Sequence, residues 1–152
     1  LETPSKTGID KVELLFSSNK NKSPQPIDKT ASGGEISRVM LCLKYLLAQS
    51  SSLPTLIFDE IDTGISGEAA DLTAKMLKKM SANVQIISIS HLPQIAAKAT
   101  THYFVEKSGE SETTVTQLNA EERVTAIARM LSGSTLSDAA IQNAQALLSE
   151  EN

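Results

Sequence analysis

The chain has little of several residue types that stabilise particular classes of protein. Its 152 residues include no tryptophan, three phenylalanines and a single cysteine. One cysteine excludes an internal disulfide framework and fits a protein of the reducing cytosol. This residue, Cys42, lies in a strongly apolar helical pattern. We therefore expect a small buried hydrophobic side chain rather than a reactive thiol.

Long apolar runs are also missing. No stretch approaches the roughly 18 apolar residues of a membrane-spanning helix, and no signal peptide opens the chain. We expect a cytoplasmic protein without membrane contact. The length is enough for one domain, which we place over residues 1–152. Because the chain opens at Leu1 on a polar leader, we expect it to be part of a longer protein.

An excess of positive charge is absent as well. The net charge is −4 and the isoelectric point about 5.2, which argues against a surface that binds nucleic acid over its whole area. A local basic patch stays open, since Lys75, Lys78 and Lys79 cluster on one predicted helix. Lysines on the exposed side of an amphipathic helix are usually only solvated, so the cluster alone does not predict DNA contact.

The sequence also lacks a phosphate-binding loop of the form GxxxxGK[ST]. In that loop, glycine N–H groups, a lysine and a hydroxyl hold nucleotide phosphates and a metal ion. The chain has seven glycines, and none precedes a Lys-Ser or Lys-Thr pair. A complete nucleotide triphosphate site of this type is therefore excluded for the chain by itself.

The order of predicted elements indicates an α/β fold with a mostly parallel sheet, flanking helices, a β-hairpin and C-terminal helices. The predicted strands are residues 12–16, 55–58, 84–89, 103–107 and 113–118. The predicted helices are residues 35–49, 67–80, 93–99, 119–131 and 136–149. Residues 17–30 read as a polar loop and residues 108–111 as the turn of the hairpin.

Apolar spacing predicts which faces are buried. Both strands of the central pair, 55–58 and 84–89, read as buried strands of a parallel sheet. In the helix at 35–49 the predicted buried face consists of Ile36, Val39, Met40, Leu43, Leu46 and Leu47. In the helix at 67–80 it consists of Ala69, Leu72, Met76 and Met80.

The pentapeptide ASGGE at 31–35 combines a helix start with two glycines. Ser32 can cap the helix while Glu35 reaches back, which is the ordinary capping-box interpretation. That interpretation leaves Gly33 and Gly34 unexplained, because glycine costs about 1 kcal/mol relative to alanine inside a helix. Glycines at a helix N-terminus let a phosphate approach the N–H groups, so a phosphate-facing helix start explains both features.

Two adjacent acids end the first central strand, and a histidine follows the second. Asp59 and Glu60 close the run LIFDE, and His91 follows residues 84–90. Carboxyl ends of parallel strands are where α/β sheets bind ligands. One acid can hold Mg²⁺ and the other can orient or deprotonate a water. The alternative, a polar strand end that caps the next helix, stays equally open for this segment alone. We interpret His102 as a surface or strand residue.

In this order and spacing, the segments resemble motifs of the ABC ATPase superfamily, in its SMC-like branch. ASGGE resembles the signature motif, with Ala31 where leucine is more common. LIFDE resembles a Walker B strand, IDTGISG at 61–67 a D-loop, and His91 the switch histidine. Longer stretches resemble bacterial ATPases of DNA double-strand-break repair within that branch: ASGGEISRVMLCLK, FDEIDTGISGEAA, ISHLPQIAAKATTHYFVEK and ERVTAIARMLSG.

This resemblance implies the C-terminal lobe of an ATPase head that acts as a homodimer on ATP and Mg²⁺. Both ligands would need the missing Walker A lobe, which the resemblance places earlier in the same protein, before long coiled-coil arms. It also implies that DNA binds through the full-length, nucleoid-associated protein.

The resemblance implies a role for each matched residue. Ser32, Gly33 and Gly34 would bind the nucleotide of the partner head, and Asp62 would lie at the dimer seam. Asp59 would support Mg²⁺, Glu60 would act on the hydrolytic water, and His91 would sense the γ-phosphate. Arg38 would contact the partner or a nucleotide.

Two other functions stay open from the sequence. One is a non-catalytic module for dimerisation or DNA contact, against which the adjacent acids argue. The other is another ABC or SMC-like ATPase subunit, such as that of a transporter, which an upstream sequence without long heptad repeats would indicate. On the favoured interpretation, the chain alone does not hydrolyse ATP.

Overall fold

The structure is a computed structural model that describes residues 6, 8–10, 12–50, 53–108, 112–133 and 135–149. It has the predicted α/β architecture. The strands are β1 (Leu15–Phe16), β2 (Gln25–Pro26), β3 (Thr55–Asp59), β4 (Gln85–Ile89), β5 (Tyr103–Ser108) and β6 (Glu112–Gln117). The helices are α1 (Ile27–Thr30), α2 (Gly33–Ser50), α3 (Gly67–Met80), α4 (Pro93–Lys98), α5 (Ala120–Ser132) and α6 (Asp138–Ser149).

The centre of the fold is a parallel pair of strands connected by a helix. β3 pairs with β4 in register from Thr55 opposite Gln85 to Asp59 opposite Ile89, and α3 makes the crossover. The predicted parallel pairing is confirmed, and so are the bounds of the crossover helix. The main hydrophobic core lies between these strands, α2, α3 and α4: Leu41, Phe58, Ala74, Leu77, Met80, Val84 and Ile95.

A second, smaller core joins the C-terminal helices. Ala97 of α4 packs with Ile127 and Ala128 of α5 and with Ala140 and Ala144 of α6. Four of these five side chains are alanines, so the helices approach closely. Pro93 occupies the first turn of α4 as predicted. This cluster fixes α4, and with it the loop that carries His91.

The predicted hairpin is confirmed. β5 and β6 pair antiparallel from Tyr103 opposite Gln117 to Ser108 opposite Glu112. The proposed turn at 108–111 lies mostly outside the described residues. Every described side chain of β6 is exposed to solvent.

The N-terminal prediction needs correction. Only Leu15–Phe16 of the strand predicted at 12–16 is extended and paired, and its partner is Gln25–Pro26. The stretch predicted as a polar loop, 17–30, therefore holds a strand and the short helix α1. Ser17 folds the connection by donating from its hydroxyl to the carbonyl of Asn19 (2.6 Å) and to that of Lys22 (2.9 Å).

The predicted burial of α2 is wrong. Of its described apolar residues only Leu41 is buried, whereas Met40, Leu43, Leu46 and Leu47 are exposed. Cys42 is exposed too, against the expectation of a buried thiol. The physical reason is that α2 contacts the core along the side that carries Leu41, and no described residue covers the more apolar side.

The buried face of α3 is rotated from the prediction, although Met80 is buried as predicted. The buried residues are Ala70, Thr73, Ala74, Leu77 and Met80, whereas Leu72 is 57% exposed. Small residues at 70 and 74 let this side lie close to the neighbouring helices, above all α4, which outweighs the larger apolar side chains on the neighbouring side.

The two central strands are buried on one face only. Phe58 is buried, but Ile57, Ile87 and Ile89 on the opposite face are exposed. Continuous apolar runs suggested that both faces would be covered, and the described residues cover one. No described helix combines the length and the apolar character that crossing a membrane requires.

Candidate functional site

The carboxyl ends of β3 and β4 bring three predicted site residues to one edge of the sheet. Asp59 is the last residue of β3 and pairs in register with Ile89. The next backbone N–H, that of Glu60, donates to the carbonyl of Ile89 at 3.1 Å. His91 lies two residues beyond Ile89. The acids and the histidine therefore share one strand tip, with both acids exposed to solvent.

Glu60 has an unusual backbone conformation. Its φ of 49° makes it the one non-glycine residue with positive φ among those described. Thr63 holds this turn by donating to the Glu60 carbonyl from its N–H (3.2 Å) and its hydroxyl (2.9 Å). Glu60 lies beyond the end of β3. The direction of its side chain is therefore set by the turn and not by the alternation of side chains along a strand.

Asp62 is wholly buried behind this tip. Its Oδ2 accepts hydrogen bonds from the Ser90 hydroxyl at 2.6 Å and from the His91 backbone N–H at 3.0 Å. The Nδ1 of His91 lies 3.2 Å from the same oxygen. Among the described residues, the hydrogen bonds of the Asp62 side chain thus all go to the loop between β4 and α4.

His91 itself is largely open to solvent. Its side chain is 69% exposed, and Nδ1 faces the Asp62 carboxylate. Because Nδ1 faces the Asp62 carboxylate, Nε2 lies on the far side of the exposed ring. An outward Nε2 at the strand tip can contact a ligand there.

The start of α2 forms the capping box that its sequence predicts. The Ser32 N–H and hydroxyl donate to the Glu35 carboxylate at 2.7 and 2.9 Å. The Glu35 N–H donates to the Ser32 hydroxyl oxygen at 3.4 Å. The Ser32 backbone N–H, then its hydroxyl, hold the pKa of Glu35 below its ordinary value, and the charge of Arg38 acts in the same direction.

The two glycines of this turn have different surroundings. A methyl group at Gly33 would meet no atom within 4 Å. One at Gly34 would lie 3.6 Å from the carbonyl oxygens of Thr63 and Gly64 and 3.4 Å from the Arg38 guanidinium. Gly34 therefore brings α2 against the loop that follows Glu60. Gly33 leaves the backbone open to solvent, where N–H groups of a first helical turn attract anions.

A shallow depression of about 180 Å³ lies beside the acidic tip, between α2 and the end of β3. Its lining includes Ser37, Asp59 and Glu60. The acidic tip therefore faces the part of α2 that follows the signature-like turn.

The acids fit a magnesium site that is completed by other groups. No three Asp, Glu, His or Cys side chains gather to hold a metal ion within the part of the chain that the structure describes. Mg²⁺ commonly takes only one or two protein carboxylates and fills its other positions with water and phosphate oxygens. The exposed Asp59 carboxylate suits that arrangement.

Sequence reasoning missed Ser90 and Thr63. Ser90 connects Asp62 to the His91 loop, and Thr63 fixes the turn at Glu60. A local signal exists for Ser90, because a serine two residues before a backbone N–H commonly accepts from it. The Ser90 hydroxyl does accept from the Leu92 N–H at 3.0 Å.

Solved structures of SMC proteins share this fold, although no family model matches the chain. One, from work on "ATP-driven dimerization and DNA stimulated activation of SMC ATPases", has a TM-score of 0.61 at 21% identity and covers 76% of this chain and 70% of that chain. The Smc head domain of Pyrococcus yayanosii has a TM-score of 0.62 at 24% identity and covers 70% of this chain and 20% of that chain. The fold is that of an SMC-type ATPase head.

Sequence similarity narrows this class. The DNA repair protein RecN of Haemophilus influenzae is 42% identical over 151 residues, which make up 97% of this chain and 27% of that protein. Over almost all of its length the chain is similar to RecN proteins, and it spans about a quarter of the length of the curated relatives it matches.

Proposed function

We propose that this chain is the C-terminal lobe of an SMC-like ATPase head and supplies one half of an ATP site. The observation that carries the proposal is the shared strand tip of Asp59, Glu60 and His91 in a chain that has no phosphate-binding loop. The other half comes from a Walker A lobe elsewhere in the same protein. The full-length protein acts, on this proposal, in DNA double-strand-break repair and recombination at the nucleoid.

Each tip residue has a distinct task. The Asp59 carboxylate holds Mg²⁺, which when bound neutralises charge on the phosphates. Glu60 orients the attacking water and accepts its proton. His91 contacts the γ-phosphate through Nε2. The exposed positions of both acids leave them free to meet a nucleotide that another lobe holds.

The start of α2 acts on the nucleotide of a second head. Ser32 and Gly33 are exposed, and the first turn presents backbone N–H groups to solvent. Two heads of a homodimer would therefore enclose two ATP molecules, each between the Walker A lobe of one head and Ser32, Gly33 and Gly34 of the other. The loop that follows Asp62 lies beside this seam, with the carbonyl oxygens of Thr63 and Gly64 against Gly34.

Exposed apolar surfaces support a missing lobe. Met40, Leu43 and Leu47 on α2 are exposed, as are Ile57 and Ile87 on one face of the central strands. Exposed apolar faces of this kind mark protein interfaces. We assign it to the Walker A lobe of the same head.

The alternatives have less support. The lysine cluster of α3 is engaged within the lobe, since Lys75 pairs with Asp71 at 2.6 Å and Lys79 lies 5.9 Å from the ring centre of Tyr45. Neither contact points to DNA binding by this helix, and we propose that DNA binds through the full-length protein. The similarity to a DNA repair protein also favours this function over a transporter subunit.

Replacing Glu60 in the full-length protein tests the proposal. We expect Glu60→Gln to keep ATP binding and to slow hydrolysis by about a hundredfold or more, because the water loses its base. Dimers with ATP bound should accumulate, measurable by light scattering alongside phosphate release. The matched control is Glu106→Gln on the exposed strand β5, which should hydrolyse ATP normally. A normal rate for Glu60→Gln would remove the assigned role of Glu60.

A further inference from the structure

Asp62 has a buried side chain whose hydrogen bonds all lead to one loop. It is 0% exposed, and a carboxylate in such a place is destabilising unless polar neighbours compensate it. Oδ2 receives the three contacts described above, all from Ser90 and His91. Oδ1 is buried without a hydrogen-bond partner in the described part of the chain.

Ser90 holds the loop from both sides of His91. Its hydroxyl donates to Asp62 at 2.6 Å and accepts from the Leu92 N–H at 3.0 Å. Leu92 in turn is the N-cap residue of α4. The Ser90 hydroxyl thus connects the buried Asp62 side chain to the start of α4. His91 lies in the chain between Ser90 and Leu92, the two residues joined by this hydroxyl.

His91 depends on these contacts for its orientation. With 69% of its side chain exposed, packing does not fix the imidazole ring. The ring is instead held by two contacts with Oδ2 of Asp62. One comes from its own Nδ1 and the other from the His91 backbone N–H. Asp62 also lies two residues after Glu60, so it connects the loop of the proposed base to the loop of the proposed phosphate contact.

We propose that Asp62 and Ser90 are positioning residues that keep His91 and Glu60 in a fixed relative arrangement. Neither side chain needs to touch the nucleotide for this role. The inference rests on the proposed function, in which His91 acts at the γ-phosphate.

The test is a set of variants in the full-length protein, with ATP hydrolysis and binding of a fluorescent ATP analogue as separate readouts. Ser90→Ala should lower the turnover rate at least about tenfold, because an oriented catalytic contact is lost, with analogue binding nearly unchanged. Ser90→Thr keeps the hydroxyl and should retain most of the rate. Ser88→Ala is the matched control, since the Ser88 hydroxyl on β4 has no partner among the described residues.

A double-mutant cycle with His91 separates positioning from general structural damage. In a His91→Ala background, Ser90→Ala should cause no further loss, because the group it positions is gone. Asp62→Asn, which is nearly isosteric, should behave in the same way and serves if Ser90→Ala does not fold. Two results would overturn the inference. One is an additive loss of rate in the double variant. The other is a normal rate for both Ser90→Ala and Asp62→Asn when His91→Ala is impaired. A normal rate for His91→Ala would instead remove the proposed role of His91, and this inference with it.

Discussion

At the scale of single residues, Glu60 combines a strained backbone conformation with a proposed catalytic role. A glutamate with φ of 49° lies in the left-handed region, which costs an L-residue roughly 1–2 kcal/mol. Two hydrogen bonds from Thr63 and one to Ile89 hold the conformation. Backbone strain of this kind persists only where the surrounding structure holds it. It is typical of functional sites.

His102 is a second residue with particular surroundings, away from the proposed site. It is half-buried rather than a plain surface residue, and its Nδ1 has no hydrogen-bond partner among the described residues. Burial, and then the charge of Arg123, lower the pKa of His102 below 6.5. Arg123 donates to the carbonyls of Ala97 and Ala99 at the end of α4, so it stays close to His102.

This lowered pKa predicts a loss of stability in mild acid. The unfolded chain binds a proton at His102 more readily than the folded chain does. The stabilising contribution is therefore complete above pH 6.5 and declines as the pH falls below it. We expect the melting temperature to drop between pH 6.5 and about 5, before most carboxylates titrate.

Thermal unfolding of the chain and of His102→Gln at several pH values measures the effect. The variant should lose part of this pH dependence, since glutamine does not titrate. Equal slopes for both proteins would show that His102 does not cause the change.

The element scale shows how much local sequence determines. Capping boxes form at Ser32–Glu35 and at Asn119–Glu122, as their spacing predicts, because both partners are local and polar. The bounds of α3 also agree with the sequence, although its N-cap residue, Ser66, makes no side-chain capping hydrogen bond. Burial of helix faces could not be predicted, because an apolar stripe such as that of α2 indicates an interface without identifying the partner that covers it.

The capping box of α5 gives a prediction at this scale. Asn119 accepts from the Glu122 N–H at 3.0 Å, and Glu122 accepts from the Asn119 N–H at 2.8 Å. We expect Asn119→Ala to lower the free energy of unfolding by about 1 kcal/mol, as for other N-caps. Urea unfolding followed by circular dichroism measures this change.

Asn83→Ala is the matched control for that experiment. Asn83 is an exposed residue in the turn after α3, where its backbone N–H bonds to Met80. Its replacement should leave the unfolding free energy nearly unchanged. Equal losses for the two variants would mean that the capping box adds nothing specific.

Long-range contacts explain why the site could be predicted only in part. The strand tip followed from the parallel pairing, which placed Asp59, Glu60 and His91 together. The burial of Asp62 and its bond to Ser90 did not follow, because residues 28 apart in the chain meet only in the folded lobe. The left-handed turn at Glu60 depends in the same way on Thr63 and Ile89.

At the scale of the whole molecule, the lobe has a complete core on one side of its sheet and an exposed apolar surface on the other. Ile57, Ile87 and Ile89 face outward on that side, and the described part of the chain offers nothing to cover them. The acidic tip likewise has no phosphate-binding loop beside it. The proposed Walker A lobe would explain both observations, because it would cover the exposed apolar face and supply the phosphate-binding loop.

ATP hydrolysis by this chain, alone and mixed with the Walker A segment of the same protein, tests that account most directly. We expect no measurable turnover from either part alone, and turnover from the mixture that Glu60→Gln abolishes. On the proposed function, phosphate binding and water activation reside on different lobes. Robust hydrolysis by the chain alone, in protein free of contaminating ATPase, would contradict the claim that it holds only half of the site.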